Sequence, residues 1–149
     1  MADPTTGKKI LLAEDDKFLS TAMADKLGRE GFVVLRAMNG VDAVELAKTE
    51  KPDLILLDII MPQKTGFEVL SELRLDPTTH NIPIIVLSNL GQEADIKRAR
   101  DLGAMDYLVK SDVEMKLVVA KIKEAMARLA EASAKRTRLT SQASPKTAL

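Results

Sequence analysis

The segment LILLDIIMPQKTGFEVL, residues 54–70, decides the fold class of this chain. Its first four residues are apolar without alternation, which is typical of a strand buried on both faces of a parallel sheet. Asp58 follows that run directly, and Phe67, Leu70 and Leu73 then recur at helical spacing. The segment therefore predicts a buried strand, a short loop that begins with a carboxylate, and an amphipathic helix.

The same strand-then-helix pattern occurs five times along the chain. The predicted strands are Lys9–Ala13, Phe32–Arg36, Leu54–Leu57, Pro83–Leu87 and Met105–Val109. A segment of helical period follows each strand, and the first four end at the helix-terminating residues Gly31, Pro52, Pro77 and Gly103. Because crossovers between parallel strands are right-handed, this (βα)5 pattern predicts an α/β fold: a doubly wound five-stranded parallel sheet with helices on both faces.

Composition excludes several classes of protein. The 149 residues are 46% hydrophobic, with no Cys and one His, which excludes disulfide scaffolds, zinc sites and thiol nucleophiles. No apolar run reaches the length of a membrane span, and the polar start MADPTTGKK does not resemble a signal peptide. With 22 basic and 22 acidic residues and only four aromatic ones, direct DNA binding is not expected. We expect a soluble, cytoplasmic protein.

Charge is distributed unevenly along the chain. Residues 132–149 contain four cations and no acid, so the remaining residues carry a net charge of −4. Apolar periodicity fades near Leu129. We therefore expect a folded domain over residues 8–131, a disordered N-terminus over residues 1–7, and a basic C-terminal tail over residues 132–149 that is disordered and solvated.

Polar side chains stand at the carboxyl ends of four predicted strands, where parallel sheets place their functional groups. These residues are Glu14, Asp15 and Asp16 after the first strand, Asp58 after the third, Ser88 after the fourth and Lys110 after the fifth. Each has an ordinary explanation as a cap or a solvated side chain. Together they supply carboxylates for a hard divalent cation and donors for phosphoryl oxygens. Asp16 is better explained as the residue that starts the first helix.

The segments KILLAEDD, LILLDIIMPQKTGFEVL, PIIVLS and ARDLGAMDYLVK resemble the receiver domain of bacterial two-component response regulators, over roughly Lys9 to Leu129. The resemblance implies a flavodoxin-like fold with strand order 2-1-3-4-5. It also implies a stand-alone receiver, because few residues remain after the domain for an output module. Such a protein is a phosphoryl-accepting switch that catalyses only its own phosphorylation and dephosphorylation.

The resemblance assigns a role to each residue of the site. Asp58 would accept a phosphoryl group from the phosphohistidine of a sensor histidine kinase or a histidine phosphotransfer protein. Asp15, Asp58 and the backbone carbonyl of Ile60 would bind Mg²⁺, and Glu14 would act mainly through water. Lys110 and Ser88 would bind phosphoryl oxygens, while Tyr107 would turn inward on activation. The fourth helix, fifth strand and fifth helix would form the face that binds an output protein, and dimerisation through this face is compatible with the resemblance.

Several positions depart from the family pattern. Ser111 stands where the family has Pro after a cis bond, Ser88 replaces the more usual Thr, and Asn89 replaces Ala or Gly. Ile60 and Leu90 are apolar at positions that influence hydrolysis of the phosphoaspartate, and neither side chain can orient a water molecule. We therefore expect slow autodephosphorylation.

Two other functions are compatible with parts of the sequence. A receiver-like interaction module that works without phosphorylation would tolerate Ser111 and Asn89. A phosphatase with Asp58 as nucleophile needs a second acid two residues later, where this chain has Ile60. Phosphate-binding glycine motifs of nucleotide-binding proteins do not occur.

Overall fold

The computed structural model describes residues 3–147, with side chains through Leu139. A single parallel sheet forms its centre, and its strand order, β2-β1-β3-β4-β5, is the one that the resemblance implied. The strands are β1 (Lys9–Ala13), β2 (Val33–Ala37), β3 (Leu54–Leu57), β4 (Ile84–Ser88) and β5 (Asp106–Val109). Each begins and ends within one residue of the predicted run.

Five helices alternate with the strands, which confirms the (βα)5 pattern. They are α1 (Lys17–Arg29), α2 (Gly40–Glu50), α3 (Gly66–Leu75), α4 (Glu93–Asp101) and α5 (Met115–Thr147). The side chains of Asp16, Asn39 and Thr65 cap the first three helices by accepting a backbone N–H of the first turn.

The continuous apolar strands are buried because helices cover both faces of the sheet. Leu11 and Ala13 of β1 belong to the core that packs under α2, α3 and α4. Ile10 and Leu12, one residue out of phase, belong to the core under α1 and α5. Since side chains alternate between faces along a strand, a strand that is buried on both sides is apolar at successive positions and not at every second one.

Arg74 joins three segments at the amino-terminal edge of the sheet. Its guanidinium donates hydrogen bonds to the carbonyls of His80 and Ile82, before β4, and of Gly103, before β5, over 2.7–2.8 Å. Burial lowers the pKa of this guanidinium, so the three carbonyls hold a cation that has lost part of its hydration. The end of α3 is thereby fixed to the entries of two strands.

The last helix is longer than the sequence indicated. α5 continues to Thr147, whereas the sequence indicated a frayed helix end followed by disorder from residue 132 onward; residues 148–149 lie outside the described residues. The segment lacks apolar periodicity; its seven Ala, Lys and Arg residues favour helix, whereas its six Ser and Thr residues and Pro145 do not. Among the described residues, no helix is long and apolar enough to cross a membrane.

The N-terminal segment is also more ordered than expected. Residues 3–7 form turns, and the Asp3 carboxylate accepts hydrogen bonds from the amide and hydroxyl of Thr5, which is buried. Lys123 of α5 bridges Asp3 at 3.2 Å and Glu30, at the end of α1, at 3.1 Å. Residues 3–7 thus have local hydrogen bonds where the sequence indicated disorder over residues 1–7, and residues 1–2 lie outside the described part.

We expect Asp3→Asn to lower the melting temperature near neutral pH, and the loss to disappear in acid. The hydrogen bonds from Thr5, and then Lys123, lower the pKa of Asp3 from 3.8 to about 2. A carboxyl group whose pKa is lower in the folded than in the unfolded protein stabilises the fold at pH values above its unfolded pKa. This stabilisation is lost as the pH falls through its folded pKa. Melting curves between pH 6 and pH 2 test this.

Asp25→Asn provides a matched control, because Asp25 forms an exposed ion pair with Arg29 within α1. Exposed pairs of this kind contribute little to stability. A melting difference for Asp3→Asn that persists unchanged to the lowest pH would contradict the predicted role of the ionised carboxylate.

Candidate functional site

Three carboxylates meet at the carboxyl edge of the sheet, just beyond β1 and β3. These strands are neighbours in register, with Ala13 opposite Leu57, so the residues that follow them lie side by side. Oxygens of Glu14, Asp15 and Asp58 all lie within 4.8 Å of one another. The Asp58 amide donates to the Ala13 carbonyl at 2.9 Å, which extends the β-ladder to the first residue of the site.

Lys110, at the end of β5, lies between two of these carboxylates. Its ammonium is 2.8 Å from Asp58 Oδ2 and also contacts Glu14 Oε1. Burial by itself would lower the pKa of Lys110, but the hydrogen bonds and charges of Asp58 and Glu14 outweigh it and raise this pKa. The lysine is therefore a firmly protonated cation in a largely buried place.

Glu14 is almost completely buried, at 2% exposure, whereas Asp15 beside it is exposed. Burial raises the pKa of Glu14, against the opposing effects of Lys110 and of the Asp16 amide, which donates to Glu14 Oε2 at 3.0 Å. The direct contact with Lys110 was not anticipated, since the sequence analysis gave Glu14 a role through water. Asp16 caps α1 through its Oδ1, as expected.

The loop after Asp58 is held by close backbone packing at Gly66. The Gly66 amide donates to the Ile59 carbonyl at 2.8 Å. A Cβ added to Gly66 would stand 2.4 Å from the Asp58 carbonyl oxygen and 2.6 Å from the Ile59 Cα, a separation that no real Cβ tolerates. The start of α3 therefore rests directly on the backbone of Asp58, which only glycine permits.

A second glycine, which the sequence analysis did not single out, fixes the same loop from the other side. The Gly40 amide at the start of α2 donates to the Pro62 carbonyl at 3.2 Å. A Cβ on Gly40 would stand 2.2 Å from the Lys64 carbonyl oxygen. In the sequence, Gly40 is marked only by its position after the capping residue Asn39. That position indicates the start of a helix and gives no indication of a contact with the loop after Asp58.

Ser88 and Tyr107 lie on neighbouring strands beneath the loop after β4. Ser88 is completely buried, and its hydroxyl accepts from the Leu90 amide at 3.4 Å. Tyr107 lies inward, 7% exposed, with its hydroxyl donating to the Leu90 carbonyl. Burial, followed by the charge of Asp95, raises the pKa of the phenol. Both ends of the Leu90 backbone are thus tied to the candidate switch residues.

The positions that depart from the family pattern have distinct surroundings. Residues Lys110–Asp112 form one turn of 3-10 helix, and no peptide bond in the described residues is cis, so Ser111 is accommodated by a trans bond. Ile60 is 56% exposed beside Asp58, and its amide donates to Asp58 Oδ1 at 3.2 Å. Leu90 instead packs against the core. Of the two apolar positions, Ile60 is the one whose side chain faces solvent.

The donor set suits a hard divalent cation. Three carboxylates can each offer one oxygen to the same point, and oxygen ligands with bound water are what Mg²⁺ prefers. Asp15, the exposed member, leaves one side of the cluster open to solvent. Lys110 offsets one of the two buried negative charges, so a bound cation and the ammonium together would offer positive charge to the oxygens of an anion.

Comparison with known proteins finds one family model, the response regulator receiver domain, which matches residues 10–123. The transcriptional regulatory protein PdtaR of Mycobacterium tuberculosis is 40% identical over 110 residues, which cover 73% of this chain and 52% of PdtaR. Protein PilH of Pseudomonas aeruginosa is 41% identical over 105 residues, covering 68% of this chain and 84% of PilH. The chain thus spans about half the length of PdtaR and most of PilH.

Solved structures show the same similarity. The receiver domain of the Francisella response regulator 1452 covers 83% of this chain with 28% identity and a TM-score of 0.76; 99% of that domain is matched. The BeF3-activated receiver domain of Klebsiella pneumoniae RstA covers 79% of this chain with 31% identity and a TM-score of 0.73; 97% of that domain is matched.

We expect Mg²⁺ to raise the melting temperature, because a cation that binds only the folded carboxylate cluster stabilises the fold by mass action. At about ten times its dissociation constant the gain is ~1.4 kcal/mol, or several degrees for a domain of this size. Asp15→Asn removes the exposed ligand without disturbing the buried pair and should abolish the shift. An equal shift in that variant, or none in the parent protein, would count against the metal site.

Proposed function

Because the chain belongs to the response regulator receiver domain family, we propose that it is a phosphoryl-accepting switch that uses Asp58 as its acceptor. The observation that carries the proposal is the Lys110 ammonium, which lies 2.8 Å from Asp58 Oδ2 with Glu14 on its other side. The ammonium lies against Asp58, the member of the acidic cluster that follows the central strand β3.

The proposed reaction is an in-line displacement at phosphorus. An oxygen of the Asp58 carboxylate attacks the phosphoryl group of a phosphohistidine, the P–N bond breaks as the P–O bond forms, and the imidazole leaves with a proton from solvent. Lys110 and the Ser88 hydroxyl bind the phosphoryl oxygens as charge moves onto them. The donor is a sensor histidine kinase or a histidine phosphotransfer protein, or a small acyl phosphate.

The proposed cofactor is Mg²⁺, held by Asp15, Asp58 and the Ile60 carbonyl, with Glu14 acting through water. When bound, the ion supplies positive charge to the phosphoryl oxygens. The buried Glu14 contacts Lys110 and thereby helps to fix the ammonium beside Asp58. Asp15, being exposed, is the ligand that solvent and the ion reach first.

The proposed output is a change in the face formed by α4, β5 and α5. A phosphoryl group on Asp58 draws the Ser88 hydroxyl toward it. This hydroxyl accepts a hydrogen bond from the Leu90 amide, and the carbonyl of Leu90 accepts one from the Tyr107 hydroxyl. The movement reaches α4, which begins shortly after Leu90. A cytoplasmic receiver domain would act by binding an output protein through this face, or as a dimer through it.

The test is phosphorylation by acetyl phosphate with Mg²⁺, followed by intact mass measurement. We expect one added phosphoryl group, absent without Mg²⁺ and absent in Asp58→Asn. The matched control is Asp53→Asn, at the opposite end of β3, which should be phosphorylated like the parent protein. Steady release of phosphate from many phosphate esters would instead identify a phosphatase.

A protein that shows no adduct is then tested with beryllofluoride, which mimics the phosphoryl group. Tyr107 is the only tyrosine and there is no tryptophan, so intrinsic fluorescence reports on this one side chain. A change in Tyr107 fluorescence identifies a working acceptor site whose phosphoaspartate was lost by hydrolysis. An unchanged signal favours an interaction module that does not depend on phosphorylation.

We expect phosphorylated Asp58 to hydrolyse slowly, and Ile60→Asn to accelerate the hydrolysis. Water must attack the phosphorus while the P–O bond to Asp58 breaks, and the exposed Ile60 side chain offers no hydrogen bond to that water. An amide at this position contributes one hydrogen bond, which corresponds to a rate increase of roughly fivefold. Loss of the phosphoryl group after removal of the donor is followed by mass spectrometry.

Leu75→Asn is the control for Ile60→Asn, because Leu75 is another strongly exposed apolar residue but lies at the far end of α3. Its phosphoaspartate should decay at the parent rate. Rapid decay in the parent protein, or equal decay in all three proteins, would contradict the role given to Ile60.

A further inference from the structure

The loop between Asp58 and α3 turns at a residue with an unusual backbone. Gln63 has a φ of 71°, in the left-handed region that residues other than glycine rarely adopt. The Lys64 amide, one residue later, donates to the Pro62 carbonyl at 2.8 Å. This hydrogen bond closes a γ-turn with a positive φ at its centre, the rarer and more strained of the two kinds. Neighbouring contacts must therefore hold the turn in place.

Backbone contacts hold this turn against α2. The Gly40 amide donates to the same Pro62 carbonyl at 3.2 Å, so this oxygen accepts two hydrogen bonds. The Lys64 carbonyl oxygen lies so close to Gly40 that a Cβ on Gly40 would stand 2.2 Å from it. Both carbonyls that flank Gln63 thus rest on the start of α2.

The Lys64 side chain ties the same turn to α3. Its ammonium pairs with one oxygen of the Glu72 carboxylate, in the second half of α3. The Lys48 ammonium of α2 lies 3.8 Å from the other oxygen of this carboxylate and 3.6 Å from Asp76. The Glu72 carboxylate therefore lies between two ammonium groups, one from the turn and one from α2.

The Ile60 carbonyl is joined to the turn by two residues with little conformational freedom. It belongs to the peptide unit between Ile60 and Met61, and the Met61 side chain is buried in the core under α2, α3 and α4. A residue before proline is restricted to extended conformations, and Pro62 itself has a fixed φ. A displacement of the turn is therefore passed on to the Ile60 carbonyl and is not absorbed between them.

We propose that Lys64 is a positioning residue for the metal site: its ion pair with Glu72 holds the strained turn, and with it the Ile60 carbonyl, in place before a cation binds. This role rests on the proposed function, which assigns that carbonyl to Mg²⁺. A cation binds more tightly to a ligand that is already ordered, because no binding free energy is used to order it. Lys64 acts through the turn and is not itself a ligand.

Lys64→Met removes the ammonium but keeps an unbranched side chain of similar length. Glu72 retains Lys48 as a partner, so the change leaves no carboxylate without a cation. Lys64→Arg keeps the positive charge and serves as the conservative variant. The matched control is Lys9→Met, because Lys9 forms a similar ion pair with Glu50 at 3.5 Å but lies at the opposite end of the sheet.

The experiment uses the full chain and two titrations with Mg²⁺. Melting temperatures over a series of Mg²⁺ concentrations give the dissociation constant of the ion. Rates of phosphorylation by acetyl phosphate give the half-saturating Mg²⁺ concentration and the maximal rate. We expect Lys64→Met to raise both Mg²⁺ concentrations about threefold and to leave the maximal rate unchanged, since an ion pair that is partly exposed contributes modestly. Lys64→Arg and Lys9→Met should match the parent protein.

Two further measurements distinguish positioning from general stabilisation. Without Mg²⁺, hydrogen exchange at the Gly40 amide should be faster in Lys64→Met than in the parent protein, because this amide donates to the turn. In Gln63→Gly the turn carries no strain, since glycine adopts a positive φ readily. Adding Lys64→Met to Gln63→Gly should therefore weaken Mg²⁺ binding by less than the same change in the parent protein. An ion pair that acts independently of the turn would cause the same loss in both.

Several outcomes overturn the role of Lys64. Equal Mg²⁺ affinity in Lys64→Met and the parent protein does so and leaves the phosphoryl switch intact. A loss that Lys64→Arg does not recover, or that Lys9→Met shows as well, also overturns it. If the parent protein binds Mg²⁺ without being phosphorylated, the proposed switch fails, and weaker Mg²⁺ binding by Lys64→Met still supports the positioning role. A parent protein whose melting temperature does not respond to Mg²⁺ overturns both.

Discussion

The contact of Lys110 with Glu14 and Asp58 is the interaction on which the site depends. The lysine side chain is 15% exposed and the two carboxylates 3% and 6%, so all three charges are largely removed from water. Taking away the ammonium would leave two like charges buried together, a defect of about 3–5 kcal/mol. Packed apolar residues would stabilise a domain at least as well. A buried charged triad is therefore better explained by the chemistry of the site than by stability.

The parallel sheet makes this contact feasible. Asp58 and Glu14 come from neighbouring strands, whereas Lys110 comes from the edge strand β5, two strands away from β3. The long lysine side chain crosses the end of β4 to reach them. Glycines complete the arrangement, because α2 and α3 both begin in contact with the loop after Asp58. The position of the acceptor is thus set by backbone packing on two sides and by charge on the third.

The fold could be predicted almost completely because its signals are local. Unalternating runs such as Ile55–Leu57 are explained only by burial on two faces, and capping residues such as Asp16 and Thr65 mark helix starts. The strand ends likewise predicted that Glu14, Asp15, Asp58 and Lys110 come together. Apolar periodicity gave no signal for two segments. The C-terminal part of α5 is helical without an apolar stripe, and residues 3–7 form hydrogen bonds around Asp3.

The details of the site were beyond the sequence for a different reason. The Glu14–Lys110 contact joins residues almost a hundred positions apart in the sequence. Whether these two side chains meet depends on the directions that they take beyond the ends of β1 and β5. The sequence around Gly40 did not indicate its close contact with Lys64, because glycine occurs at helix starts for several reasons. The inward position of Tyr107 depends on the Leu90 carbonyl, which only the folded loop presents.

The continuity of α5 gives the molecule a mechanical property that a flexible tail would lack. From Met126 to Thr147 the helix measures about 30 Å, so a tilt of roughly ten degrees at the domain displaces its tip by ~5 Å. The helix is thus a lever whose short arm packs against the sheet and whose long arm is exposed to solvent over residues 127–139. Small adjustments of packing around Ile122 are thereby converted into displacements as large as one helical turn.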